Sequence, residues 1–401
     1  MAVLRFEVTS RAPYADGRTF GDVGAYEQID GTLHFALDPA LVCNQSIVDL
    51  DLAPCDSQGR VRFEADFSMV QPVVPAARRA VIVELPNRGR RRVVPLLNMA
   101  PLAAPDTPAA PAGDGLLFEQ GFVVASLGWQ WDVYRSDVLL GLEAPHACRD
   151  GEPMRGQTMV EMRPNADEQV RLLADRIHRP LPASAGAQAD ARLLVKDFED
   201  GVDQLIPRED WQFARLTADG MLEASAEHIF YEAGFEAGKI YQLVYESAIA
   251  PVAGCGLLAL RDVATWLRAD TEQNPLHARA GHLYAWGISQ TGRMLRHFLS
   301  LGLNVGEDGV RAYDGMYIHV AGARRGAFNH RFAQPSNQTT PLWGHCFPFA
   351  DIPTADALTG QDAGLLDRLE RSGGIPRIIY TNTAAEYWRG DAALARISTD
   401  G

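Results

Sequence analysis

Six residues place a hydroxyl where a nucleophile could work: Gly287-Ile288-Ser289-Gln290-Thr291-Gly292. They stand between an apolar strand-like run, residues 281–287, and an amphipathic run, residues 291–301. A nucleophile elbow needs this setting, because its Ser sits on a strained strand-to-helix turn whose small neighbours let the two elements approach. Gly287 supplies the small residue two before Ser289; two after it stands Thr291, with Gly292 one further on. The competing reading makes Ser289 a helix N-cap and nothing more.

A reactive serine needs donors for the oxyanion. One would be the backbone N–H of Gln290, just after the nucleophile, and another would come from the loop after an earlier central strand. Asn87-Arg88-Gly89 ends such a strand: Gly89 permits a tight turn that exposes N–H groups, and Arg88 could hold an anionic substrate or form a surface salt bridge. An orienting carboxylate is expected after a later strand, and Glu386 follows the strand-like Arg377–Thr381. It could equally be an acidic residue at a helix start. In the chain order Ser, Asp/Glu, His, the general base comes last, and no histidine follows Glu386. His330 and His345 fall between strands, His319 reads as a strand residue and His297 as a helix-face residue. His330 or His345 could reach Ser289 only through an unusual topology.

Other motifs carry weaker chemistry. Gly254-Cys255-Gly256-Leu257-Leu258-Ala259 opens a helix as a dinucleotide-binding loop does, with Asp270 and Glu272 further on. However, Pro251 separates it from the preceding apolar run, and the acidic pair precedes the next strand. Asp49 and Asp51 share one face of a strand-like run, as a metal pair or as a solvated face. Five scattered cysteines without a Cys-x-x-Cys pattern suggest no zinc site. They read as unpaired thiols, with a Cys43–Cys55 bridge as the alternative. The two lysines, Lys196 and Lys239, are followed by Asp197 and Ile240, so no phosphate-binding Gly-Lys-Ser/Thr loop exists. Trp129 and Trp131 either line a pocket or pack the core.

The elements that must position these residues divide the chain. Residues 32–37, 46–52 and 61–69 alternate apolar and polar and read as strands of an antiparallel segment, residues 1–75. From residue 76 the texture is that of strands buried on both faces, at residues 80–85, 121–127, 281–287, 316–320 and 377–381. Helical runs lie between them, and Leu257, Leu260, Val263, Ala264 and Leu267 recur at helical spacing. Alternation of strand and helix argues an α/β fold with a mostly parallel sheet flanked by helices. Residues 144–240 and 323–371, more charged and irregular, read as insertions forming a cap.

The 401 residues, 47% hydrophobic and 22% charged, suit one large α/β domain with insertions. A net charge of −14 argues against nucleic acid or an anionic membrane surface as partner. The sequence holds no apolar stretch of membrane-spanning length and no secretory signal pattern, so a cytoplasmic location is expected.

Together these residues resemble the large bacterial α/β-hydrolase-domain proteins of serine-esterase type. The resemblance runs from about Gly31 onward and rests on Ile47-Val48-Asp49-Leu50, Asn87-Arg88-Gly89, Gly128-Trp129-Gln130 and Gly256 to Asp262 with its Arg261-Asp262 pair. It continues through Gly287-x-Ser289-Gln290-x-Gly292-Arg293, Tyr313-Asp314-Gly315, Ala321-Gly322-Ala323, Phe328-Asn329-His330-Arg331-Phe332 and Glu386-Tyr387-Trp388. It implies the α/β-hydrolase fold, a Ser289 nucleophile with Glu386 as acid, and further sequence after residue 401 with a last strand and the histidine that these residues lack, but no particular substrate. The expectation is a small-molecule ester as partner, with no cofactor and no metal. Two alternatives remain: an inactive hydrolase fold that binds or scaffolds, and a dinucleotide-binding enzyme.

Overall fold

The computed structural model describes residues 2–74, 78–101, 111–186, 188–277, 279–337, 347–356 and 359–396. In chain order the elements that matter are β1 (Val3–Pro13), β2 (Gly24–Leu37), β3 (Val61–Pro72), β4 (Arg79–Glu84) and β5 (Val123–Leu127). Then come β6 (Gly156–Met162), β7 (Arg192–Lys196) and β8 (Ile240–Ser247). The last group is α1 (Cys255–Arg268), β9 (Ala280–Ile288), α2 (Gln290–Ser300), β10 (Gly315–His319), β11 (Arg377–Thr381) and α3 (Ala384–Arg389).

One central sheet runs in the order β1-β2-β3-β5-β4-β9-β10-β11. Its first half is antiparallel, β1 on β2, β2 on β3 and β3 on β5. The pairs β5–β4, β4–β9, β9–β10 and β10–β11 are parallel. The sheet is thus mixed: β1, β2 and β3 extend the sheet that carries β4, β5, β9, β10 and β11, with Phe67 pairing with Leu127 and Val70 with Val124. Val81, Val83, Val123, Ala125, Leu283 and Ala285 are buried, as strands covered on both faces require. Helix α1 packs its apolar positions Leu257, Leu260, Val263, Ala264 and Leu267 into the main core.

Between β5 and α1 the chain leaves this sheet. Strands β6, β8, β7 and Gln204–Ile206 form a separate antiparallel sheet with an apolar cluster of its own, including Val160, Leu193, Trp211, Phe235 and Leu243. This segment thus has a sheet and an apolar cluster of its own, and its last strand reaches Ser247.

Residues 46–52 do not form the expected strand. They make turns ending in the short 3₁₀ segment Leu50–Leu52, with Asp49 in the left-handed region at φ 61°. Ile47 and Leu50 are buried at a spacing of three, which fits a helical turn and not a pleat. Asp49 and Asp51 therefore share no strand face. Asp49 accepts Arg331 Nε at 2.8 Å and Nη2 at 2.6 Å, and no cluster of metal ligands exists among the described residues. Cys43 and Cys55 are both free thiols, so the alternative bridge does not form; Cys346 and His345 lie outside the described residues.

Candidate active site

Ser289 stands between β9 and α2 with φ 54° and ψ −110°, a conformation L-residues avoid unless the surroundings impose it. Its neighbours show how. A Cβ on Gly287 would lie 2.5 Å from Thr291 O, and one on Gly292 would lie 2.9 Å from Ala321 Cβ and 3.1 Å from His319 O. The Thr291 hydroxyl donates to Ile288 O at 3.1 Å and accepts from Ile288 N–H at 2.8 Å, closing the turn on itself. Ser289 N–H donates to His319 O at 2.8 Å, which ties the turn to the end of β10.

The turn after β4 lies alongside. Asn87 Nδ2 donates to Ile288 O at 2.8 Å, and Arg88 N–H donates to Gln290 Oε1 at 3.1 Å. Arg88 takes φ 51° and Gly89 φ 81°. Asn87 N–H donates to Arg90 O, so within the turn the Gly89 N–H is the one without a hydrogen bond among the described residues. Arg88 Nη2 donates to Ser336 O at 3.0 Å and its Nη1 to Asn87 Oδ1 at 3.4 Å.

The Gln290 side chain is buried and holds this arrangement in place. Besides accepting Arg88 N–H, its Nε2 donates to Gln130 Oε1 at 3.0 Å and to Pro335 O at 2.7 Å. Gln130 Nε2 donates to Asp132 Oδ1 at 2.5 Å, and Ser336 N–H donates to Asp132 Oδ2 at 2.9 Å. Burial pushes the Asp132 carboxyl up, while Ser336, His178 and Gln130 pull it back. Reading the sequence singled out the Gln290 backbone but not this network, whose members come from three distant segments.

Trp129 and Trp131 are core residues, buried, with their indole N–H groups donating to Pro86 O at 3.0 Å and Ala333 O at 2.9 Å. Glu386 lies in the first turn of α3 in a capping box with Thr383, whose N–H donates to Glu386 Oε2 at 2.9 Å. Although burial pushes its carboxyl up, the Thr383 donors hold it below the usual range, with His319 contributing. The His319 ring bonds Thr381 Oγ1 through Nδ1 at 2.7 Å. His297 turns inward against Phe328, and His330 bonds Arg331 O. Among the described residues no histidine hydrogen-bonds Ser289.

The glycine motif ahead of α1 serves packing. A Cβ on Gly256 would lie 2.2 Å from Trp129 O, and one on Gly254 2.5 Å from Asn329 Oδ1. The preceding strand β8 is antiparallel to both its neighbours, β6 and β7. The parallel first strand of a dinucleotide fold is therefore missing and its phosphate space is filled, which overturns the dinucleotide alternative.

Residues 233–371 match the model of the family described as Alpha/beta hydrolase domain. The chain has the α/β-hydrolase fold, with its strand-turn-helix at Ser289 inside the matched region. No curated protein matches it. Among solved structures it is similar to a CE15 glucuronoyl esterase from Teredinibacter turnerae, at 11% identity and a TM-score of 0.33, over 97% of this chain and 64% of that one. The chain thus spans about two thirds of the length of that structure. No helix among the described residues is long and apolar enough to cross a membrane.

Proposed function

We propose that this α/β-hydrolase fold is a serine hydrolase acting on small carboxylic esters by acyl transfer to Ser289. The backbone of Ser289 carries the reading. A positive φ at a non-glycine residue, between a strand and a helix whose glycines have no room for a Cβ, projects a hydroxyl that a mere N-cap would not need. Ser289 also makes no side-chain cap bond to α2.

In the proposed reaction Ser289 Oγ attacks the ester carbonyl carbon and its proton passes to a base. The carbonyl oxygen becomes an oxyanion held by the N–H of Gln290 and by the Asn87–Gly89 turn, where Gly89 supplies the donor. The C–O bond to the alcohol then breaks, and the alcohol leaves with the base's proton. Water, deprotonated by the same base, attacks the acyl-serine, releasing the acid and restoring Ser289. Glu386 is the proposed acid that orients the base, and the base is a histidine outside the described residues.

Fluorophosphonate labelling with site mapping tests this reading. Ser289 should carry the label, and Ser289→Ala should lose both label and hydrolysis of p-nitrophenyl acetate. Label on another residue, or turnover that survives Ser289→Ala, would overturn it. A second reading is an inactive hydrolase fold that binds or scaffolds; among the described residues no histidine bonds Ser289. That reading would be supported by a folded protein whose Ser289 does not react.

A further inference from the structure

Arg293 is the basic residue nearest Ser289 along α2, and its guanidinium has no hydrogen-bond or ion-pair partner among the described residues; its Nε is sealed from solvent. Residues four apart share one helix face, and helical side chains lean toward the N-terminus. Ser289 is the residue before α2 and Arg293 N–H donates to Ser289 O at 3.0 Å, so Arg293 stands one turn from the nucleophile on the same side of the helix. Its surroundings agree. Arg293 feels Arg88 on the β4 side of the serine, and Arg324 and Glu386 on the β10–β11 side.

A carboxylate stands near Arg293, but among the described residues none bonds it directly. Arg324 is paired with Asp391, Nε to Oδ2 at 2.6 Å. Glu386 keeps its negative charge near Arg293 but gives its hydrogen bonds to Thr383, so it makes no direct bond to the guanidinium. A buried guanidinium with two arginines and one carboxylate near it, and no hydrogen-bonded partner, is costly, and such a charge is retained where an anion binds it directly. Burial, then Arg88 and Arg324, lower its pKa to about 10, so it is still a cation at neutral pH.

We propose that Arg293, flanked by Arg88 and Arg324, is a carboxylate subsite beside Ser289, and that the substrate is an ester carrying a second, ionised carboxylate a few bonds from the scissile carbonyl. The proposal rests on the serine-hydrolase reading for its ester, but not for its anion. A carboxylate meets the Nε/Nη edge of Arg293 with two parallel hydrogen bonds, which a neutral acyl chain cannot supply. The subsite orients the substrate and takes no part in bond breaking.

Two measurements separate the proposal from the reading beneath it. The first needs no turnover: calorimetric titration of the protein with glutarate, a dicarboxylate. Wild type should bind, and Arg293→Gln should bind about tenfold more weakly or worse. Equal binding by both, or none by wild type, would overturn the subsite. The second compares p-nitrophenyl hemiglutarate with p-nitrophenyl butyrate. Wild type should prefer the charged ester in kcat/KM, and Arg293→Gln should reduce that ratio by about 10- to 100-fold. An unchanged ratio would overturn the subsite. If neither ester turns over while glutarate binding still depends on Arg293, the subsite stands and the hydrolase reading falls. Should Arg293→Gln fail to fold, Arg293→Lys keeps the charge without the fork, and its glutarate affinity should still drop.

Discussion

Thr291 occupies the place where a Gly-x-Ser-x-Gly motif has its second glycine, and the structure accounts for the departure. The tight approach falls one residue later, where Gly292 abuts Ala321 and His319 O. Thr291 can therefore carry a side chain, and its hydroxyl satisfies both the N–H and the C=O of Ile288 within the buried turn. Thr291→Val has nearly the same shape but leaves those groups unpaired, a loss of about 1–3 kcal/mol. Urea unfolding should show that loss for Thr291→Val and much less for Thr291→Ser, which keeps the hydroxyl. Equal midpoints for the two variants would mean the hydroxyl does not hold the turn.

At the scale of the element, α2 carries Ser289 at its start and His297 two turns on, and the two were unequally legible. The elbow could be read because its signal is local: Gly287, Ser289 and Gly292 lie within six residues, between a buried run and an amphipathic one. Strands β4, β5, β9, β10 and β11 were legible for the same reason, as continuous apolar runs. Residues 46–52 misled because alternation over so few positions also fits a turn that buries Ile47 and Leu50. Gln130 stood out only as part of Gly128-Trp129-Gln130, and Asp132, Pro335 and Ser336 gave no signal, since the bonds of this network to Gln290 and Asp132 span 45 to 204 residues of sequence. His297 read as a helix-face residue, but burial, with Arg325 and His330 adding to it, pushes its ring down to about 3. The folded pKa lies below the unfolded value of about 6.5, so the unfolded chain binds the extra proton. This contribution is complete above pH 6.5 and is lost as pH falls toward 3, with a slope of at most about 1.4 kcal/mol per pH unit. Denaturant unfolding between pH 7 and 4 should therefore show wild type losing stability faster than His297→Gln. Parallel curves would contradict a buried neutral imidazole.

At the scale of the whole molecule, many residues that carry the family resemblance turn out to tie distant segments together. Arg261 and Asp262 pair in the core of α1, and the Arg261 guanidinium also reaches Cys43 O. Asp314 accepts from Arg268 and from Leu283 N–H, joining α1, β9 and the start of β10. The segment after β10 is fastened to the N-terminal part at two points 281 to 283 residues apart in sequence. Asn329 brackets the turn by donating to Ser46 O and accepting Val48 N–H, and Arg331 clasps Asp49. That same segment delivers Pro335 and Ser336 to the network around Gln290. The clasp is thus a stability feature within a few residues of the site. Arg331 is partly exposed, but the Asp49 side chain is only 8% exposed, and removing the cation leaves its carboxylate buried and unpaired. Arg331→Met should cost about 1–3 kcal/mol, whereas the double variant Arg331→Met with Asp49→Asn should recover part of that loss because the orphaned charge is gone. Urea unfolding of the two single variants and the double variant closes the cycle. If the effects simply add, the clasp does not hold the segment, and the placement of Pro335 and Ser336 beside Gln290 must rest on Asn329 and the network itself.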